Sequence, residues 1–283
     1  MPIAPGELPL SLQLNYLSGG GMAQAPVRAS ALLKNRAAGF SGFEEFSLEP
    51  PRDAKQAQNQ SADEDSDSPP EAREGKLVAD KIALTTDRNG TASVTLKDLP
   101  KITRSSELTA EVTFNDPNGE VQMVSTLIAL WPSAVVLGVK AGSWASSRSK
   151  VKFSALALDT AGRPLKGQAV EVRGRLSQVI STRKRMVGGF YAYDNRTELT
   201  DLGALCSGST DDRGLLLCEA ELNSAGQVEL IAIAKDAAGH PVQAASSVWV
   251  TQQGEPWFEQ NNDDRIDVLP EKKRYEPGET ARL

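Results

Sequence analysis

VKFSALALDTAGRPLKGQAVEVRG, residues 151–174, is the stretch that decides the fold of this chain. Apolar residues alternate with polar ones on both sides of a turn that runs from Asp159 to Pro164. Alternation with a period of two is typical of a half-buried antiparallel strand. Asp159 can cap the backbone of a type I turn, and Gly162 can adopt the positive φ that closes it. The stretch therefore predicts two strands joined as a β-hairpin.

The parts of this stretch recur along the chain. Thr-Asp-x-x-Gly stands at 86–90 and again at 210–214, and a second Asp-x-x-Gly text stands at 116–121 and again at 236–242. The offsets are 124 and 120 residues, which is the length of one domain. The sequence therefore predicts two copies of one β-domain. The Asp-x-x-Gly pairs are Asp87/Gly90, Asp116/Gly119, Asp159/Gly162, Asp211/Gly214 and Asp236/Gly239.

Short alternating runs predict the remaining strands. In the first copy, Leu10–Tyr16 is expected to pair with Val27–Leu33 across three glycines, and Trp131-Pro132 is expected to end the domain. Seven or so short strands per copy predict an all-β fold of tandem immunoglobulin-like antiparallel β-sandwiches. Further strands are predicted at Ile82–Leu84, Ala92–Leu96, Leu108–Phe114, Val121–Leu130, Val135–Leu137, Leu215–Leu222, Val228–Ala234 and Val242–Val250.

The predicted domains are a sandwich over 1–132, a second sandwich over 133–252, and a linker with the first strand of a third domain over 253–283. Nothing like Val135–Leu137 precedes Pro5, so the first sandwich is expected to lack its first strand. The acidic, low-hydrophobicity stretch 50–76 predicts a disordered insertion. We expect the chain to be a piece of a longer array.

Composition argues against several classes of function. The formal net charge is -6 and the 283-residue chain has one histidine, His240. An acidic chain is not expected to bind nucleic acid, and one histidine excludes most histidine-dependent metal sites. No nucleophile elbow, phosphate loop or metal motif is present. We expect no enzymatic activity, no cofactor and no catalytic, cofactor-binding or metal site.

The two cysteines, Cys206 and Cys218, stand six residues on either side of Asp212. On the two arms of a hairpin at 210–214 they would lie across from each other, within reach of a disulfide bond. Such a bond implies an oxidising compartment. Two alternatives are free thiols in a cytosolic protein and a zinc pair, although no further zinc ligands are found.

The repeat resembles the macroglobulin-like domains of α2-macroglobulins. The features that carry the resemblance are tandem sandwiches, the Tyr-x-Pro-Gly-Glu text at 275–279 and Thr-Asp-x-x-Gly. The stretches 183–191 and 257–268 are similar to the bacterial branch of that family. The resemblance covers the second domain and the tail well, covers the first domain loosely, and does not extend to 50–76.

The resemblance implies a structural fragment of a periplasmic protease-trapping inhibitor, an endopeptidase inhibitor in host defence that protects the cell envelope. Its implied partners are proteases, through the full-length protein, and neighbouring macroglobulin-like domains of the same chain. It further implies a full-length protein anchored to a membrane and associated with a peptidoglycan synthase. The family's thioester needs Cys-x-x-Gln, but Cys206 and Cys218 are followed three residues on by Ser209 and Glu221. No catalytic residue is carried over.

A different class of function is also open. Arrays of β-sandwiches are common in adhesion, so an adhesin-type binding module is the alternative. Adhesin modules of that kind are expected to bind calcium through acidic clusters at domain junctions. Asp263, Asp264 and Asp267 would lie at such a junction, so calcium stays open under this alternative.

Overall fold

The computed structural model describes residues 1–52, 75–146, 149–185 and 191–251. Every regular element in these ranges is a β-strand, and no helix long and apolar enough to cross a membrane occurs in them. The strands are β1 (Leu8–Gln13), β2 (Pro26–Asn35), β3 (Lys76–Thr85), β4 (Thr91–Leu96), β5 (Ser106–Asn115), β6 (Val121–Leu130), β7 (Val135–Ala141), β8 (Trp144–Ser146), β9 (Ser149–Asp159), β10 (Ala169–Arg185), β11 (Tyr191–Ser209), β12 (Leu215–Leu222), β13 (Gly226–Lys235) and β14 (Pro241–Thr251).

The strands form four sheets that pack as two sandwiches. The N-terminal sandwich pairs a sheet of order β3-β2-β5-β6 with a sheet of β1 and β4. The C-terminal sandwich pairs a sheet of order β11-β10-β13-β14-β8 with a sheet of order β12-β9-β7. Neighbouring strands are antiparallel except β14 and β8, which are parallel. The predicted all-β class of tandem antiparallel β-sandwiches is confirmed.

The predicted hairpin within 151–174 is wrong. The turn forms, with the N–H of Gly162 donating to the carbonyl of Asp159 at 3.0 Å. However, β9 pairs with β7 and β12, whereas β10 pairs with β11 and β13 in the other sheet. The chain therefore arches from one sheet to the other, because both strands direct alternate apolar side chains into the core between the sheets. The same correction applies to β1, which pairs with β4 and not with β2.

In both sandwiches the repeated Thr-Asp-x-x-Gly turn is hydrogen-bonded to the segment that crosses from one sheet to the other, which we call the arch. The hydroxyl of Thr210 donates to the carbonyl of Leu165, and its oxygen accepts the N–H of Gln168. Thr86 makes the matching pair of bonds in the N-terminal sandwich, to Met22 and Ala25. The two copies of the turn therefore share one role, which is to tie the turn to the arch beside it. The duplicated text is the sequence signature of this contact.

The two cores differ. One cluster of buried residues spans both sheets of the C-terminal sandwich, with Leu137, Val172 and Leu230 among its members. The N-terminal sandwich has two separate clusters, one around Leu108 and one around Val27. Strands β1–β6 lie within the predicted domain 1–132 and β7–β14 lie within 133–252. The predicted strand of a third domain, with the whole of 253–283, lies outside the described residues.

Candidate functional site: the junction between the sandwiches

A disulfide bond joins Cys206 on β11 to Cys218 on β12, as predicted, with 6.0 Å between the Cα atoms. The predicted reason for the pairing is wrong, because β11 and β12 belong to different sheets. The chain turns at 211–214 and its two arms then diverge to opposite faces of the core. Cys218 is buried and Cys206 packs against the same core. The bond therefore ties the two sheets of the C-terminal sandwich together.

The main contact between the sandwiches is made by residues 36–52, which we call the crossing segment. It leaves β2 and runs over the C-terminal sandwich. Its apolar side chains pack against a small cluster of buried residues that is separate from the three main cores. The cluster contains Trp131, Val136, Leu156 and Leu158, and the side chains that cover it include Ala38, Phe40, Phe43, Phe46 and Leu48.

Backbone hydrogen bonds fix the register of the crossing segment. Ser47 and Val139 exchange both of their N–H to carbonyl bonds, each 2.9 Å long. Further along, the N–H of Ala245 donates to the carbonyl of Glu49 at 2.8 Å. The crossing segment thus bonds to β7 and to β14, one from each sheet of the C-terminal sandwich. Its position is set by ladder-type bonds as well as by apolar packing.

The close approach of the crossing segment depends on a glycine. A Cβ atom placed on Gly138 would lie 2.8 Å from Cδ2 of Leu48 and 3.1 Å from Cβ of Phe46. A real Cβ does not approach another carbon atom to 2.8 Å, so Leu48 would have to move. Gly138 therefore allows the crossing segment to lie directly on β7.

A buried ion pair holds the end of the crossing segment. The side chain of Arg175 pairs with Glu229, with Nε at 3.0 Å from Oε2. Its Nη2 donates both to the same oxygen and to the carbonyl of Arg52. The remaining oxygen of Glu229 accepts the N–H of Arg52 at 3.0 Å. Arg52, near the start of the predicted insertion, is thus bonded to the C-terminal sandwich. Residues 53–74, where the disorder was predicted, lie outside the described residues.

Trp131 closes the other side of the junction. The residue is 2% exposed, and its ring stacks on Phe40 with centroids 6.1 Å apart. The guanidinium of Arg36 lies over the ring, 5.2 Å from its centroid. Its backbone N–H donates to the carbonyl of Pro2 and its carbonyl accepts the N–H of Ala4. Residues from the start of the chain, the crossing segment and the linker after β6 therefore meet at one aromatic ring.

Asp236 ties a turn of the C-terminal sandwich to the linker. Its Oδ1 accepts the backbone N–H groups of Ala238 and His240, as Asp116 does in the matching turn of the N-terminal sandwich. Its Oδ2 accepts the N–H of Ala134 at 2.9 Å and contacts Nδ1 of His240 at 2.9 Å. Asp116 has no such second set of bonds among the described residues. Asp236 therefore adds a bond to the residue ahead of β7 to a turn that both copies share.

The surroundings of Asp236 favour its charged form. Burial alone would raise the pKa of Asp236. Hydrogen bonds from the N–H of Ala134 and from the side chain and N–H of His240 lower it by more. The pKa of Asp236 therefore stays well below its usual value of 3.8. At neutral pH the carboxylate is therefore charged, buried and hydrogen-bonded, and it helps to hold the linker in place.

A cleft of about 650 Å³ opens between the sandwiches beside these contacts. In the described part of the chain, no acidic side chain lines it, and the basic residue types that do are Arg52, Lys101, Arg104, Arg175 and His240. Arg175 is neutralised by Glu229 and His240 is bonded to Asp236. The cleft has no pair of a nucleophile and a base, and no group of three metal-ligating side chains occurs among the described residues.

No family model matches the chain, and no curated protein matches it. Solved structures do match. The native conformation of Escherichia coli α2-macroglobulin is similar over 99% of this chain, at 13% identity and a TM-score of 0.54. Salmonella α2-macroglobulin reacted with methylamine is similar over 99% of this chain, at 13% identity and a TM-score of 0.53. Escherichia coli α2-macroglobulin activated by porcine elastase is similar over 90%, at 14% identity and a TM-score of 0.51.

The chain has a macroglobulin-like fold. At these identities the likeness shows the fold and no more. The chain spans 17%, 17% and 21% of the three matched chains, about a fifth of their length at most. The match extends over both sandwiches and therefore includes the junction between them.

Local sequence patterns do not predict the junction, although the sequence carries one signal of it. Three of the seven phenylalanines of the chain stand within 40–46, at Phe40, Phe43 and Phe46. Such a density of aromatic residues outside a strand indicates a packed segment, but it does not show against what the segment packs. The role of Asp236 has no local signal, because its text matches that of Asp116, whose carboxylate bonds to its own turn.

Proposed function

We propose that this chain is a structural, non-catalytic part of a bacterial α2-macroglobulin-type protease inhibitor. The observation that carries the proposal is the macroglobulin-like fold of two sandwiches in tandem, matched over nearly the whole chain. The packed junction supports the same role, since a wall or scaffold of a protease trap needs domains held in a defined orientation. The inhibitor's activity would belong to the whole protein, of which this chain supplies a segment.

The state of the cysteines supports a non-catalytic role. Both thiols, Cys206 and Cys218, are consumed in the disulfide, and the described residues contain no other cysteine. A thioester of the family's type needs a free cysteine and a glutamine three residues on, so this chain supplies neither part of it. The reactive group of a thioester-dependent trap would have to lie in another segment of the protein.

The disulfide also supports a location in the cell envelope. Disulfides form and persist in oxidising compartments and are rare in the cytosol. A periplasmic location is therefore part of the proposal. Association of the whole protein with a peptidoglycan synthase stays a prediction, since none of the described contacts bears on it.

Proteases are the proposed partners of the whole protein, because one of the matched structures is an α2-macroglobulin activated by porcine elastase. The test uses the longer protein that contains this chain. After incubation with elastase, we expect cleavage of a large protein substrate to be blocked while cleavage of a small chromogenic peptide continues, because a trap excludes large substrates sterically.

The isolated 283-residue chain is the matched control for this test. As a wall segment it should leave elastase active on both substrates. Inhibition by the isolated chain would contradict a purely structural role. Failure of the longer protein to block cleavage of the large substrate would contradict the proposed trap.

A further inference from the structure

Strand β10 extends beyond the sheet to which it belongs. It pairs with β13 over residues 171–177 only, whereas its pairing with β11 continues to Arg185. Residues 178–185 and 191–198 therefore form a two-stranded extension, which we call the ribbon, and no third strand in the described part of the chain pairs with it. At about 3.3 Å per residue, the ribbon projects roughly 26 Å past the last pair with β13.

One face of the ribbon continues the core face of the C-terminal sandwich. Side chains alternate along a strand, so Ile180 lies on the same face of β10 as Leu176, which is 2% exposed and belongs to the core. Ile180 itself is 37% exposed. Between them, the side-chain amide of Gln178 donates to the carbonyl of Ala225 at 2.7 Å, in the loop that joins β12 to β13. This loop closes the sandwich, so the apolar face of β10 continues past the end of the core.

A ribbon of two strands needs a further element packed against it, because isolated pairs of strands are at best marginally stable in water. The face of β10 opposite Leu176 already has such an element at its base. Arg175 lies on that face and donates to the carbonyl of Arg52 in the crossing segment. The face that carries Ile180 is the one that none of the strands in the described ranges covers.

Residues 252–283, which we call the tail, follow a strand that ends beside the base of the ribbon. Trp249 of β14 pairs with Gln227, and Gln227 pairs with Ser177, the last residue of β10 that pairs with β13. Strands β10 and β14 are both antiparallel to β13, so they run in the same direction. Strand β14 therefore ends, at Thr251, at the end of the sandwich from which the ribbon projects, two strand spacings or about 10 Å away.

The first part of the tail complements the ribbon in composition. Residues 252–269 include five acidic residues and one basic residue, a net charge of -4. The ribbon includes four basic and two acidic residues, a net charge of +2, and three of the basic ones stand at 183–185. Fully extended, residues 252–269 span up to roughly 60 Å, which is enough to reach and follow the ribbon. Their large apolar residues are Trp257, Phe258, Ile266, Val268 and Leu269.

We propose that the ribbon is the docking surface for residues 252–269 of the same chain, which cover the face that carries Ile180. The inference rests on the geometry of β10, β11 and β14 and is independent of the proposed function. Apolar side chains of residues 252–269 pack on the exposed core face of the ribbon, and their acidic residues are attracted to the basic run at 183–185. The ribbon is then an arm that sets the position of the chain as it leaves the C-terminal sandwich.

Hydrogen exchange of the full chain, followed by mass spectrometry, tests the docking. The backbone amides of residues 252–269 should exchange at least about tenfold more slowly in the full chain than in a synthetic peptide with the same natural sequence. Equal exchange in the chain and the peptide would overturn the proposal. So would protection that is lost on dilution of the full chain, because residues 252–269 would then dock on a second copy.

Two substitutions on opposite faces of the ribbon locate the docking surface. In the full chain, Ile180→Asp places a charge on the proposed face and should remove the protection of residues 252–269. Val179→Asp is the matched control, because Val179 is the neighbouring residue, is 46% exposed and lies on the other face. It should leave the protection unchanged, and equal losses in the two variants would contradict docking on the face of Ile180.

A reciprocal measurement needs no substitution in the ribbon. Deletion of residues 252–283 removes none of the strands β1–β14. Without the tail, the amides of residues 178–185 should exchange at least about tenfold faster than in the full chain, because the ribbon loses its covering element. Ribbon amides whose exchange is unchanged by the deletion would overturn the proposal.

Discussion

One aspartate turn is used five times in this chain, and its surroundings decide how much each copy contributes. In each turn one carboxylate oxygen accepts two backbone N–H groups, as Asp211 does from Arg213 and Leu215. The N–H of Leu215 is the main cause that holds the pKa of Asp211 below its usual value. Asp211 is exposed, so the turn needs no further partner. Asp236 differs because its second oxygen is buried in the junction.

Asp236→Asn is expected to destabilise the C-terminal sandwich by about 2 kcal/mol, since the amide nitrogen that replaces one oxygen cannot accept from Ala134. Asp116→Asn is the matched control, because Asp116 is in the corresponding turn with bonds only to Asn118 and Glu120. It should cost well under 1 kcal/mol. Urea unfolding of both variants at pH 7 measures the difference, and equal losses would contradict the role of Asp236 in the junction.

The cost of Asp236→Asn should depend on pH. A carboxyl group whose pKa is lowered in the folded state stabilises that state fully above its usual pKa of 3.8. The stabilisation falls as the pH drops below this value and is lost once the folded-state carboxyl is protonated. Unfolding curves of wild type and Asp236→Asn should therefore converge as the pH is lowered from 5 through the acid range. A gap that stays constant would show that the charge of Asp236 is not the cause.

Gly214 is required by contact as well as by conformation. Its φ is +73°, and a Cβ on it would lie 2.5 Å from the carbonyl oxygen of Ala157. Gly239 has a φ of +86° but no heavy atom within 4 Å of such a Cβ. Gly239→Ala should cost about 1 kcal/mol for the left-handed conformation alone, and Gly214→Ala at least about 2 kcal/mol more, because a strand carbonyl must move. Thermal unfolding compares the two, and similar losses would contradict the contact.

At the scale of elements, the arch explains why the C-terminal sandwich needs bonds between its two sheets. Both β9 and β10 are long strands, and each pairs within its own sheet, so no backbone ladder joins the two sheets of a sandwich. Apolar packing and the Thr210 hydroxyl bonds join them instead, and the Cys206–Cys218 bond adds a covalent connection. The disulfide lies where β11 and β12 leave the turn and diverge.

Removal of the disulfide is expected to destabilise the C-terminal sandwich by about 3 kcal/mol, the entropic stabilisation of a loop of this length. The double variant Cys206→Ala/Cys218→Ala would be compared with oxidised wild type by urea unfolding. Reduced wild type is the control and should unfold close to the double variant. An oxidised wild type that is no more stable than its reduced form would show that packing alone holds the sheets.

At the scale of the whole molecule, the junction couples the two sandwiches. The crossing segment belongs to the N-terminal sandwich in sequence but bonds to β7 and β14 of the C-terminal one. The pair Lys140–Glu45, 2.6 Å apart, adds an exposed contact that contributes little by itself. The buried contacts that couple the sandwiches are the aromatic cluster around Trp131 and the bond of Glu229 to Arg52.

Phe40→Ala is expected to weaken this coupling, because Phe40 stacks on Trp131 and packs against Gly162 of the C-terminal sandwich. The half-buried ring should contribute about 2 kcal/mol to the junction. Scanning calorimetry should show the unfolding transitions of the two sandwiches moving apart. Phe114→Ala, within the N-terminal sandwich, is the control, and it should lower one transition without separating the pair further. Identical changes in both variants would contradict the coupling.

The sequence by itself determined the features that depend on neighbouring residues. The positions of β12, β13 and β14, the aspartate turns and the repeat follow from alternation and from local turn chemistry, which act over a few residues. The pairing of Cys206 with Cys218 was also predictable, because both arms of a short turn stay close whether they form a hairpin or diverge. Each of these features depends only on residues that are close by in the sequence.

Tertiary structure decided which strands pair and what covers them. Alternation shows that a strand has an apolar face, but it does not identify the strand beside it. The stretch 151–174 was therefore predicted to be a hairpin, although its two strands belong to different sheets. The packing of Phe40, Phe43 and Phe46 on the other sandwich was beyond prediction for the same reason. Asp116 and Asp236 share one local text, yet only Asp236 lies against the linker. Burial and strand partners are set by residues far apart in the sequence, which no local pattern records.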